Sequence, residues 1–212
     1  SDYAPIVRGS ALIRMNTLTD TNSLIAIARA VKNENSNIRL GAISGAENIS
    51  AAERWRIISP LLADNVLVVR SEAARILMPL WQQLTIKQKH ILEPALNEYI
   101  EIQDFNGDRG FAHANKAYVF INQERYDDAI HAYKESFRIE PYFAPAYLNL
   151  SELYRRQKKN NSAISVLQQG LNAIPDNGQL NHALGLAFIR ANKRDKAIKY
   201  LHLSTKESPQ NS

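Results

Sequence analysis

The chain contains no cysteine. That excludes disulfide scaffolds, thiolate zinc sites, cysteine nucleophiles and covalently attached haem within these residues. Glycine and proline are sparse, 8 of each among 212 residues, and 45% of the chain is hydrophobic, so neither a disordered nor a collagen-like chain fits. No apolar run approaches the roughly 18 residues that a membrane-spanning helix needs. The opening SDYAPIVRGS carries no signal-peptide pattern. Gly-x-Ser-x-Gly, a phosphate-binding loop and a zincin motif are all missing, so no enzyme activity is expected in this segment. None of these absences chooses a compartment.

Strong charge of one sign is lacking too. Residues 1–109 hold 12 Lys/Arg and 12 Asp/Glu, whereas residues 110–212 hold 14 and 9, so the net +5 belongs to the second half alone. An excess of this size biases binding toward acidic partners. It falls short of a nucleic-acid footprint, in which clustered Lys and Arg alternate with stacking aromatics, and no nucleic-acid partner is expected.

What is present is periodicity, of two kinds. In the first half the period is 31: Arg8, Arg39 and Arg70 keep it, as do Val7, Ile38 and Val69, Ala11, Ala42 and Ala73, and Asp2, Asn33 and Asp64. Each Val/Ile-Arg dipeptide opens a helix-period segment, in which Val69, Ala73, Ile76 and Leu77 share one face. Further amphipathic stretches lie between, through Leu24, Ile27, Ala28 and Val31 and through Trp55, Ile58, Leu61 and Leu62. Ser50-Ala-Ala-Glu53 and Thr85-Ile-Lys-Gln88 read as capping boxes. The unit is a pair of antiparallel helices. Over residues 1–83 this resembles HEAT repeats, in which an Asp ends the first helix and Val-Arg begins the second. The resemblance implies that Asp2, Asp64, Arg8, Arg39 and Arg70 tie neighbouring repeats together, with Asn33 a departure. Asp2 stands where a first helix should end, so the expectation is a chain that starts in mid-repeat and is a fragment of a longer protein.

In the second half the period is 34. Pro141, Pro175 and Pro209 keep it, as do Ala129, Ala163 and Ala197, the small residues Ala117, Ser151 and Gly185, and the aromatics Phe120, Tyr154 and Phe188. Small residues let helices approach, the aromatic fills the space beside them, and proline closes the second helix. Residues 110–212 look like three tetratricopeptide repeats. The turn glycine of that family is replaced by Glu124, Lys158 and Asn192. Residues 84–109 read as one long bridging helix and a turn, with Pro94 either kinking it or marking its start. The fold class expected is all-α, an α-solenoid of about twelve antiparallel helices in one right-handed superhelix.

Candidate sites for chemistry are few. Asp104, Asn106 and Asp108 alternate as calcium ligands do, but Arg109 and Asn115 stand where that loop needs Gly and Glu, so a plain turn is expected. His90, His113, His131, His182 and His202 form no metal-binding pair at helical spacing. Gly41 and Gly45 mark either close helix contact or local instability. No metal and no cofactor are expected.

The tetratricopeptide resemblance implies a concave groove lined by the first helix of each pair. Mapped here, it holds Asn115, Tyr118 and Asn122, then Asn149, Glu152, Arg155 and Arg156, then His182, Leu186 and Arg190. A protein or peptide segment is the partner implied. Members that bind extended peptides use an asparagine ladder, since an amide both donates and accepts; Asn115 and Asn149 would be its rungs, and Ala183 stops it. The clamp that grips acidic chaperone tails is largely missing, with Ala114, Tyr118, Gln179 and Ala183 at its basic and amide positions. At the last repeat Ile198, Leu201 and His202 are expected to lie exposed, and self-association there is the reading taken, against a partner or simple tolerance.

The function expected is a non-catalytic interaction scaffold. HEAT-like repeats followed by tetratricopeptide repeats are also similar to the C-terminal part of bacterial multihaem cytochrome c-like proteins. That resemblance implies haem upstream, a docking role in a larger redox protein, and the periplasm. The alternative is a substrate-presenting accessory region of an enzyme such as an O-linked N-acetylglucosamine transferase.

Overall fold

The computed structural model describes residues 3–17 and 20–206. The described residues form twelve α-helices and no strand. They fall into two compact units, one reaching to Ile102 and one from Gln103 onward.

The first unit holds α1 (Pro5–Arg14), α2 (Thr21–Ala30), α3 (Ser36–Gly45), α4 (Ala51–Ile58) and α5 (Leu67–Leu77). At α2, α3 and α4 short polar side chains set the helix starts by taking amide protons that have no partner inside the helix. Asp20 accepts from Asn22 and Ser23, Asn35 from Asn37, and Ser50 from Glu53. The stretches after α4 and α5 tighten into 3₁₀ turns, Ser59–Ala63 and Met78–Gln83, each with proline in its first turn. A proline there supplies no amide proton to continue the α-helical ladder. The apolar face persists through the change, and Ile58, Leu61 and Leu62 are all buried.

The register of 31 residues has a physical counterpart. Arg39 lies buried at the start of α3, where its Nη1 donates to the carbonyl oxygens of Asn33 and Glu34, both at 2.8 Å. Its other nitrogens meet Asp64. Arg70, in the same place on α5, donates to the carbonyl oxygen of Asp64 at 2.7 Å and forks onto Glu98 at 2.7 and 2.9 Å. Arg8 is half-buried on α1. Asp2 lies outside the described residues. Asn33 turns its side chain to the amide of Asn35 instead.

Of the two readings of Gly41 and Gly45, close contact holds. A Cβ on Gly41 would stand 2.6 Å from the carbonyl oxygen of Gly9, and one on Gly45 would stand 2.6 Å from that of Leu12. The backbones of α1 and α3 touch, and only glycine permits it.

Helix α6 (Ile86–Phe105) starts at the Thr85–Gln88 box, where each residue's side chain takes the other's amide proton. Pro94 lies inside it, so it does not mark the helix start. The division between units falls within α6, inside the bridging stretch 84–109.

The second unit holds three helix pairs: α7 (Gly110–Asn122) with α8 (Tyr126–Ile139), α9 (Ala144–Arg156) with α10 (Asn160–Ala173), and α11 (Gly178–Arg190) with α12 (Arg194–Lys206). Successive helices pack on one another. Ala117 and Ser151 are buried at the close approaches, and a Cβ on Gly185 would meet Leu201 Cγ at 2.7 Å. Helices α8 and α10 stop just before Pro141 and Pro175; Pro209 lies outside the described residues. Phe137 stacks on Tyr147 with ring centroids 4.4 Å apart, joining the first pair to the second.

Each first helix of these pairs ends alike. Glu124, Lys158 and Asn192 have φ of 60°, 58° and 55°. The amide of the next residue, Arg125, Lys159 or Lys193, reaches back to the carbonyl oxygen of Phe120, Tyr154 or Phe188 at 2.8–2.9 Å. This is the Schellman ending, which usually takes glycine at the left-handed position. The aromatic column thus supplies the carbonyl that closes each helix.

Candidate functional site

The residues mapped to the groove all lie on α7, α9 and α11, but the structure divides them. Tyr118, Asn149, Glu152 and Arg156 meet around one cavity of about 190 Å³, together with Ile121, Tyr133 and Leu153. His182 and Leu186 line a second, open cavity of about 600 Å³ with Leu148, Gln179 and Ala183. Asn115 is committed elsewhere, its Nδ2 donating to Gln103 Oε1 at 3.0 Å. Asn122 donates to the carbonyl oxygen of Tyr118 on its own helix. Arg190 is exposed at the end of α11 and lines neither cavity.

The first cavity has charge at its rim. Arg155 forks onto Glu152, with Nε and Nη2 each at 2.5 Å, and Arg156 adds a single contact at 3.1 Å. Hydrogen bonds from Arg155 hold the Glu152 carboxyl well below the usual range, at about 2. Two guanidinium groups share one carboxylate, so the rim keeps one positive charge, and Arg156 is the less engaged cation. Tyr133 is buried beneath. Loss of solvent pushes its phenol up to about 12, with a hydrogen bond from Asn149 acting the other way.

Tyr133, Ile121 and Leu153 were absent from the mapped set. Tyr133 comes from α8, a second helix, and its counterparts at the same spacing are Leu167 and Leu201. A single hydroxyl in an otherwise aliphatic column is the signal that marks it.

Residues 120–187 match the family model of the tetratricopeptide repeat. No curated protein matches the chain in sequence. Among solved structures the chain is similar to a crystal structure of MamA at 17% identity and a TM-score of 0.51, over 81% of this chain and 92% of that one. It is also similar to TTC0263, a thermophilic tetratricopeptide protein of Thermus thermophilus, at 16% identity and a TM-score of 0.47, over 96% and 93% of the two chains. The MamA likeness concerns the fold.

The matched segment therefore contains α9 and α10 whole, with parts of the neighbouring pairs, and it includes every residue that lines the first cavity except Tyr118. The last pair departs from expectation at one point. Ile198 and His202 are exposed, but Leu201 is half-buried over Gly185. Ile189, Ile198 and Leu201 border a cleft of about 500 Å³. In the last turn of α6, Asp104 pairs with Lys116 at 2.5 Å, and His113 Nε2 lies 2.9 Å from the carbonyl oxygen of Gly107 in the turn that follows. Among the described residues no three His, Asp or Glu side chains are placed to hold a metal, and no helix is long and apolar enough to cross a membrane.

Proposed function

We infer that the second unit is a non-catalytic scaffold that holds a segment of a partner protein along the exposed faces of α7, α9 and α11. The observation that carries this is the cavity under Tyr118. It has an apolar floor of Ile121 and Leu153, a polar rim, and room for about one large side chain. Asn149, exposed at its edge, can donate to and accept from a bound backbone. The test is a displayed-peptide selection on the full chain, followed by calorimetry and amide exchange. A selected peptide should protect α7 and α9, and Tyr118→Ala should weaken it. Protection confined to other helices would sink the reading.

The finer parts of the reading rest on narrower support. The Arg39–Asp64 and Arg70–Glu98 links support a HEAT-like first unit. The order of the two repeat kinds supports a docking role within a larger haem-bearing redox protein. Intact mass of the endogenous protein tests that, with covalent haem upstream as the expected finding. Exposed Ile189 and Ile198 support contact with a second copy at α11 and α12, which a monomer in concentrated sedimentation would refute. The accessory-enzyme alternative needs an asparagine ladder. Asn115 is engaged by Gln103, which leaves Asn149 alone at the cavity, so the scaffold reading stands ahead of it.

A further inference from the structure

We propose that the turn edge between α9 and α12 is a docking surface for an acidic run in the partner protein. It rests on the scaffold reading, because the same segment would leave the groove past Arg156.

Lys158, Lys159 and Lys193 line an open cleft of about 490 Å³ together with Asn160, Asn161 and Ser162. All three lysines are exposed, and no carboxylate lines the cleft. Among the described residues none of the three forms an ion pair, whereas Arg155 and Arg156 do. The preceding turn is built differently. Helix α8 opens with Asp127 and Asp128, and Asp128 takes Arg125 at 2.8 Å. Helix α10 opens with Asn160, Asn161 and Ser162 and has no acid in its first turn. One edge is neutralised by its own chain and the next is left positive.

Gathered like charges create a positive potential that draws an anionic partner and repels a basic one. The cleft has no aromatic lining, so bases would find no stacking platform, which favours an acidic polypeptide over a nucleic-acid strand. Leu153 and Arg156 line the first cavity from the last turn of α9, and Lys158 and Lys159 follow them in the chain, in the turn that leaves that helix. A segment with its apolar anchor over Leu153 would carry its following acidic residues across the lysines.

The test is fluorescence anisotropy on the full chain with labelled oligoglutamate, and with labelled oligothymidine as the competing class. Oligoglutamate should bind, and the triple variant K158Q/K159Q/K193Q should weaken it about tenfold, the scale expected for a few exposed pairs. Added salt should weaken it as well, since exposed charges are screened beyond about 10 Å at 0.1 M. The single variant K193Q should give a smaller loss, and unchanged circular dichroism shows that both variants fold. Tyr118→Ala should leave oligoglutamate binding intact while weakening the groove-selected peptide, so the two readings fail separately. Absence of oligoglutamate binding, binding indifferent to the lysines, or oligothymidine binding as tight would each overturn the proposal.

Discussion

Arg39 holds Asp64 of the next helix pair, with Nη2 donating to Oδ1 at 2.8 Å and Nε 2.7 Å from Oδ2. Both side chains are less than one-tenth exposed, at 9% and 7%. The same guanidinium holds two carbonyl oxygens from the turn that joins α2 to its own helix. It therefore couples one helix pair to the next through a single planar group.

Breaking this link from one side should be costly. Asp64→Ala leaves a buried cation without its carboxylate, and a loss of about 3–5 kcal/mol is expected. The double change Arg39→Met with Asp64→Leu removes both charges and should cost less than either single change. Urea unfolding read by tryptophan fluorescence reports on this unit, because Trp55 and Trp81 both lie within it. A loss below about 1 kcal/mol for Asp64→Ala would mean that solvent reaches the pair.

The three left-handed residues make a second prediction. A side chain with a Cβ raises the energy of that conformation by about 1–2 kcal/mol, and asparagine tolerates it better than most. Glycine gives back part of the gain through a freer unfolded chain. Glu124→Gly and Lys158→Gly should therefore stabilise the second unit by about 0.5–1 kcal/mol each. Asn192→Gly should be close to neutral. Amide exchange in α8, α10 and α12 distinguishes the three, and equal effects at all positions would contradict the argument.

The repeat columns explain which parts of this structure were legible from residues alone. Ala117, Ser151 and Gly185 announced close approaches, and Pro141 and Pro175 announced helix ends, because each acts through its own backbone or size. Ser50 and Thr85 announced helix starts for the same local reason. The site was less legible. Asn115 shares its column with Asn149, yet its amide is taken by Gln103, from the non-repetitive helix α6. Periodicity cannot reveal a partner that does not repeat. Tyr133 hid among aliphatic counterparts, and Arg155 and Arg156 divided unequally over Glu152 through rotamers that spacing does not encode.

Glycines at two close approaches should respond differently to alanine. At Gly41 the added Cβ meets the backbone of Gly9, at 2.6 Å from its carbonyl oxygen and 2.7 Å from its Cα. Backbone cannot rotate aside, so α1 and α3 must separate. At Gly185 the nearest atoms are Leu201 Cγ at 2.7 Å and its backbone nitrogen at 3.2 Å, so side-chain rotation relieves only part of the clash. Alanine also favours the helix by about 1 kcal/mol over glycine. Gly41→Ala is expected to destabilise by about 1–3 kcal/mol, the usual range for overpacking, and Gly185→Ala to destabilise less. Thermal unfolding of both variants checks the order, and a reversed order would mean that α1 is free to shift.

Glu152 supplies a pH test of the groove rim. Its carboxyl sits at about 2 in the folded chain against an ordinary value of 4.5, chiefly through hydrogen bonds from Arg155. A depressed folded value means that the unfolded chain takes up the proton first. The stabilisation is complete above pH 4.5 and is lost as pH falls from there through about 2. Its side chain is 41% exposed, so solvent screening holds the contribution below about 1 kcal/mol. Glu152→Gln should remove this part of the acid dependence. It should also free Arg155 and Arg156, which raises the positive charge at the Tyr118 cavity. A groove-selected peptide with an acidic residue beside its apolar anchor should then bind the variant more tightly at neutral pH, and one without it should not. Equal gains for both peptides would show that Glu152 shapes the cavity instead of setting its charge.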